Sequence, residues 1–176
     1  MALTYTPIYT VSASNGSTAA IEFTSIPSTY RDLAIRISFR GTNNDQQFAL
    51  QMRFNDSSAT SQYYTKGISG SGSSSTSYGV SGQNGLSYLY TGNPTSNPNS
   101  STVFANTEIY IPGYSTSNVK TYTLLVNSAA DYSRYAHQQL FSGLWSNTSV
   151  INKISLYNEY GQFSQHSTAT LYGIKA

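Results

Sequence analysis

Two short runs of strict alternation constrain this chain more than any other feature. In Leu33-Ala34-Ile35-Arg36-Ile37-Ser38-Phe39-Arg40, the side chains of Leu33, Ile35, Ile37 and Phe39 fall on one side of an extended backbone, and those of Arg36, Ser38 and Arg40 on the other. Phe48-Ala49-Leu50-Gln51-Met52-Arg53-Phe54 repeats the pattern on even positions. A period of two does not fit a helix, whose apolar face recurs every three to four residues. Both runs are therefore predicted to be strands with one buried face. The turn-forming Gly41-Thr42-Asn43-Asn44-Asp45 between them predicts an antiparallel pair.

Further strands are predicted at Ala19 to Thr24, Leu86 to Tyr90, Val103 to Ile111, Thr121 to Val126, Gln138 to Trp145, Ile151 to Tyr157 and Ala169 to Ile174. Asn15-Gly16, Ile26-Pro27-Ser28, Pro112-Gly113 and Tyr160-Gly161 punctuate them. Helical patterning is nearly absent. The expectation is an all-β chain: one β-sandwich of jelly-roll type spanning residues 1–176, with about eight antiparallel strands and long polar loops. Residues 1–18 read as an extended N-terminal arm, with Thr4 to Val11 lying on a neighbour. Two low-complexity tracts, Ser69 to Ser77 and Gly92 to Ser101, read as long exposed loops or as arms ordered by a partner.

Composition narrows the function classes. Charged residues make up only 9% of the chain and the net charge is +2, so no basic footprint for nucleic acid exists. No apolar stretch approaches the length of a membrane span, and the N-terminus lacks the order of a signal peptide. The absence of cysteine removes disulfides and thiolate metal ligands together. Catalysis requires a titrating or attacking group beside a partner that activates it. His137 and His166 are isolated in sequence, no nucleophile elbow or metal-ligand spacing occurs, and no cofactor motif is present. One opening remains for glycoside cleavage, in which Glu22 and Glu108 approach each other across a sheet as a carboxylate pair. The chain is expected to be no enzyme and to hold neither metal nor cofactor.

Tyrosine is the informative excess, with 16 copies. Its broad, stiff ring suits interfaces and sugar stacking. Tyr63, Tyr64, Tyr88, Tyr90 and Tyr114 are the candidate interface or glycan contacts. Pro27, Tyr30, Trp145, Leu171 and Tyr172 are the candidate structural anchors. Pro27 ends a strand, Tyr30 caps the core edge, Trp145 sits where another backbone approaches Gly143, and Leu171 and Tyr172 belong to a closing strand.

Three segments carry a family likeness. They are Tyr5-Thr6-Pro7-Ile8 leading to Ile26-Pro27-Ser28-Thr29-Tyr30-Arg31-Asp32-Leu33, then Ser142-Gly143-Leu144-Trp145-Ser146-Asn147, and last Ser167-Thr168-Ala169-Thr170-Leu171-Tyr172-Gly173-Ile174. In that order they resemble a family of small virion proteins of tailed bacteriophages, including marine and cyanobacterial phages, over almost the whole chain. Relatives usually carry glycine where this chain has His166. The resemblance implies a structural protein of the virion, made in the host cytoplasm. A capsid decoration or cement protein comes first: it would bind the outer surface of the major capsid protein lattice as a homotrimer and stabilise the head. The alternative is a receptor-binding or tail-fibre tip module that recognises host surface glycans. No nucleic acid or membrane partner is implied.

Overall fold

The computed structural model describes residues 4–14, 18–42, 47–71, 74–81, 86–92, 104–129, 136–158 and 161–175. Among them are twelve strands: β1 (Thr4–Ser12), β2 (Ala20–Phe23), β3 (Asp32–Phe39), β4 (Gln47–Phe54), β5 (Tyr63–Ser71), β6 (Ser74–Ser81), β7 (Leu86–Gly92), β8 (Ala105–Ile111), β9 (Lys120–Ala129), β10 (Ala136–Trp145), β11 (Ile154–Asn158) and β12 (Thr168–Lys175). Eight pair in the order β1-β12-β3-β8-β9-β10-β5-β6, and four in the order β2-β11-β4-β7. Every pairing is antiparallel. The all-β sandwich expected from the alternation is present.

The alternating runs do bury one face each, but they are not partners. β3 pairs with β12 and β8 in the large sheet, while β4 pairs with β11 and β7 in the small one. Leu33, Ile35, Ile37 and Phe39 line the core from one side, and Leu50, Met52 and Phe54 from the other, within a single cluster of buried residues. Alternation reports which side chains face the core. It does not report which sheet supplies them, because facing sheets of a sandwich present the same pattern.

Two segments expected outside the core fold are strands. The N-terminal arm is β1, an edge strand joined to β12 from Thr4↔Lys175 to Ser12↔Thr168, with a register shift between Pro7 and Tyr9. Its Ile8 and Val11 pack against the core, so this stretch lies on its own chain rather than on a neighbour. An edge is where a proline, which lacks the N–H, costs a sheet least. The Ser-Gly tract forms the end of a hairpin, with Ser69↔Thr76 and Ser71↔Ser74 opposed in β5 and β6. Its stability comes from the backbone ladder, since β10 pairs along all of β5 from Trp145↔Tyr63 to His137↔Ser71. The count of apolar side chains missed that contribution. The second tract, from 93 to 101, lies outside the described residues.

Local packing explains the anchor segments. Trp145 is buried against Phe54, with ring centroids 5.3 Å apart, and stacks near Tyr63 at 6.3 Å. Its indole Nε1–H donates to Gln62 Oε1 at 3.2 Å. Gly143 does not admit another backbone: a Cβ there would lie 1.5 Å from Tyr122 Cζ, so the glycine makes room for a tyrosine ring from the adjacent strand. Gly173 likewise lies under Tyr30, where a Cβ would fall 2.3 Å from the ring. Leu171 is fully buried, and the carbonyl of Pro27 accepts a hydrogen bond from the hydroxyl of buried Tyr114. These contacts fasten the turn after β2 to the closing strand.

Candidate functional site

The large sheet turns its inner face to the core and its outer face away from it. On the outer face, the register sets one residue from each of seven strands side by side: Thr170 beside Arg36, then Glu108, Leu125, Leu140, Ile68 and Ser77. An exposed antiparallel face ordinarily carries polar side chains. Here Leu125, Leu140 and Ile68 are consecutive in the row and are 47%, 51% and 60% exposed. Tyr64, 40% exposed, extends the apolar area two residues along β5 from Lys66.

The β3–β8 side of the row is polar and ordered. Arg36 donates from Nε to Glu108 Oε2 at 3.2 Å. The same guanidinium lies 5.7 Å from the ring centres of both Tyr5 and Tyr172, which meet edge to face at 6.2 Å. Two cation–π contacts and an ion pair thus fix a long side chain that would otherwise sample many rotamers. Beside it runs a shallow trough of about 370 Å³, bordered by Arg36, Ser38, Asn106, Glu108, Asn127 and Thr170, with Leu125 at one margin. Three further shallow concavities lie around Leu140, Lys66 and Tyr64 on this sheet.

The tyrosines singled out from sequence separate in space. Tyr63 and Tyr114 are fully buried, so their rings pack the interior and touch no ligand at the surface. Burial pushes both phenols above their ordinary ionisation range. Tyr64 is exposed on the large-sheet face. The side chains of Tyr88 and Tyr90, on β7, lie outside the described residues. Tyr172, grouped with the anchors, is half-exposed and belongs to the Arg36 cluster rather than to the core. Sequence reasoning missed Tyr5, Arg36, Asn106, Leu125, Leu140 and Ile68 as neighbours. Their one signal was the alternation of β3, which placed Arg36 outward.

Glu22 and Glu108 do not form a pair. Glu22 is on β2 in the small sheet and Glu108 on β8 in the large one, each exposed and each bonded to its own cation. Glu22 is grouped instead with Asp56: Lys153 Nζ lies 2.9 Å from a carboxylate oxygen of each, and Ser155 Oγ donates to Glu22 Oε1 at 3.1 Å. Hydrogen bonds to Asp56 and then Glu22 hold the Lys153 ammonium well above its usual range. A lysine locked between two carboxylates offsets one of their two charges and occupies the space between them. Asn55 and Asp56 reach this place through left-handed backbone, φ 51° and 56°. Asn55 Oδ1 then accepts from the N–H groups of Asn152 and Lys153 at 3.0 and 3.1 Å, clipping the end of β4 to the entry of β11.

A second lysine is interior. Lys120 is 1% exposed, and its ammonium donates to the carbonyls of Thr116, Asn118 and Thr148. Burial lowers its pKa. His166 is exposed, and the side chain of His137 lies outside the described residues. Among the described residues, no group of three or more His, Asp or Glu side chains gathers as a metal site, and no helix is long and apolar enough to cross a membrane. No protein-family model, curated protein or solved structure matches the chain.

Proposed function

We propose that this protein is a structural component of a phage particle, in the first instance a capsid decoration protein that binds the outer surface of the major capsid lattice. The virion setting rests on the sequence resemblance. The observation that favours an assembly role is the exposed row Leu125–Leu140–Ile68 on a hydrogen-bonded sheet. Contiguous apolar side chains on an exposed face cost solubility in a chain with so few charges, and burial against protein removes that cost. A sheet face is also rigid, so little ordering entropy opposes docking.

A jelly-roll reading of the sandwich accords with such a role and is supported by the strand order. With β5, β6, β9 and β10 set aside, the sheets reduce to β1-β12-β3-β8 and β2-β11-β4-β7. The chain then alternates between them except at the step from β4 to β7, the nesting of a double Greek key. The four strands set aside extend the larger sheet and carry the apolar row.

Cryo-EM of the particle tests the decoration reading: density at regular positions over the head is expected, and density confined to the tail overturns it. Heating particles that lack the protein is the complementary measurement, with earlier loss of head integrity as the expected result. The second reading, a receptor-binding module, is favoured by the trough beside Arg36. There, amides, hydroxyls and a fixed ion pair offer paired donors and acceptors next to an apolar margin. Binding on a glycan array that is lost in Arg36→Ala supports it, and an array without signal counts against it.

A further inference from the structure

We propose that the outer face of β8-β9-β10-β5 is the surface through which copies of this chain associate with one another. The inference rests on reading the chain as an assembly component, and it names the partner of the aliphatic row. What points to a second copy is the placement of charge. Glu108 ends the row on β8, and Lys66 lies two residues along β5 from Ile68, opposite Ser142. Among the described residues Lys66 has no acidic partner, although it is exposed on a face that already carries an ordered ion pair. Arg36 engages Oε2 of Glu108, and no described residue bonds to its Oε1.

An apolar strip with a carboxylate at its β8 end and an ammonium beside its β5 end is complementary to itself. When two copies bring their strips together about an axis running along the strands between β9 and β10, β8 of one comes opposite β5 of the other. The long side chain of Lys66 then spans the two residues, about 7 Å along the strand, to reach Glu108 of the second copy, while Leu125, Leu140 and Ile68 lose water. This holds for a two-fold stack and for a closed ring of three. The size suits a weak, concentration-dependent association. Four strands at about 4.8 Å spacing and seven residues at about 3.4 Å cover on the order of 450 Å² per copy, or roughly 900 Å² over two, the range of transient rather than permanent interfaces.

The test uses the purified full chain without particles. Light scattering during gel filtration is expected to give two or three times the 19.1 kDa mass of the monomer. Leu140→Asp, at a half-exposed site where the fold tolerates a carboxylate, is expected to return the protein to monomer with an unchanged circular dichroism spectrum. Zero-length carbodiimide coupling of a mixture of isotopically light and heavy chains is expected to yield a mixed-label Lys66–Glu108 crosslink. A monomer at every concentration, an oligomer indifferent to Leu140→Asp, or crosslinks that leave out this pair overturns the proposal. Because the readout needs no capsid, failure here is distinct from absence of the protein on the particle head.

Discussion

His166 is the residue at which backbone and side chain disagree most plainly. Its φ of 72° lies in the left-handed region, where a Cβ crowds the following carbonyl and glycine is unhindered. Its ring is exposed, so little packing offsets the strain. His166→Gly is therefore expected to stabilise the protein by up to about 1 kcal/mol, the lost strain being partly cancelled by the greater freedom of glycine in the unfolded chain. Thermal denaturation of the two proteins reads the difference, and a lower melting temperature for the variant refutes it. The tyrosines give a second expectation at this scale. Burial raises the phenols of Tyr63, Tyr114 and Tyr122, while Tyr110 is pushed up to about 12 by burial and by its hydrogen bond to Asp32. Folded, they keep protons that the unfolded chain releases near pH 10, so the unfolded state binds fewer protons and stability falls as pH rises above that value. The contribution of Tyr110 is complete below about pH 10 and is lost through about 12. In an alkaline titration, tyrosinate absorbance is expected to show exposed phenols ionising first and a buried group ionising together with loss of the β-sheet signal. A single smooth wave with the fold intact contradicts this, and Tyr110→Phe should shallow the alkaline decline.

At the scale of elements, β6 differs from the rest. It is one of the two edge strands of the large sheet, pairs with β5 alone among the described strands, and exposes Ser74 to Gly79. Tyr78 reaches inward, its ring 6.4 Å from that of Phe141. An edge strand with so little buried surface opens at low free energy, whereas β3, between β12 and β8, opens only with the sheet. Hydrogen exchange is expected to be fast along β6 and slowest in β3 and β12. Equal protection in β6 and β3 would show that something besides β5 covers this edge. Strand positions were largely legible in sequence wherever one face is apolar, as in β3, β8 and β12. β1, β5 and β6 were not, because their place depends on main-chain hydrogen bonds to strands distant in sequence, and those bonds leave no mark on side-chain composition.

For the whole molecule, both sheets contribute to one buried cluster, so neither has a core without the other. Unfolding is expected to be a single cooperative transition, with matching calorimetric and van't Hoff enthalpies. Leu171→Ala, at a fully buried position between β1 and β3, is expected to cost about 2–5 kcal/mol and to shift fluorescence and circular dichroism transitions together. Separate midpoints for the two probes would divide the sandwich into independent units.

The sequence by itself determined that the chain is all-β, which residues of β3 and β4 face inward, and that cysteine chemistry is absent. Alternation and composition are local properties, and a local pattern suffices to fix the side of a strand. Tertiary structure alone decided that β3 and β4 oppose each other across the core, that Tyr63 and Tyr114 are interior, and that Glu22 and Glu108 stand on different sheets. It also decided that Leu125, Leu140 and Ile68 adjoin. Those three residues come from strands scattered along the chain, and only the register of the ladders brings them into one row. Side-chain type records the face a residue takes, whereas its neighbours across the sheet are chosen by the hydrogen bonds of the whole fold.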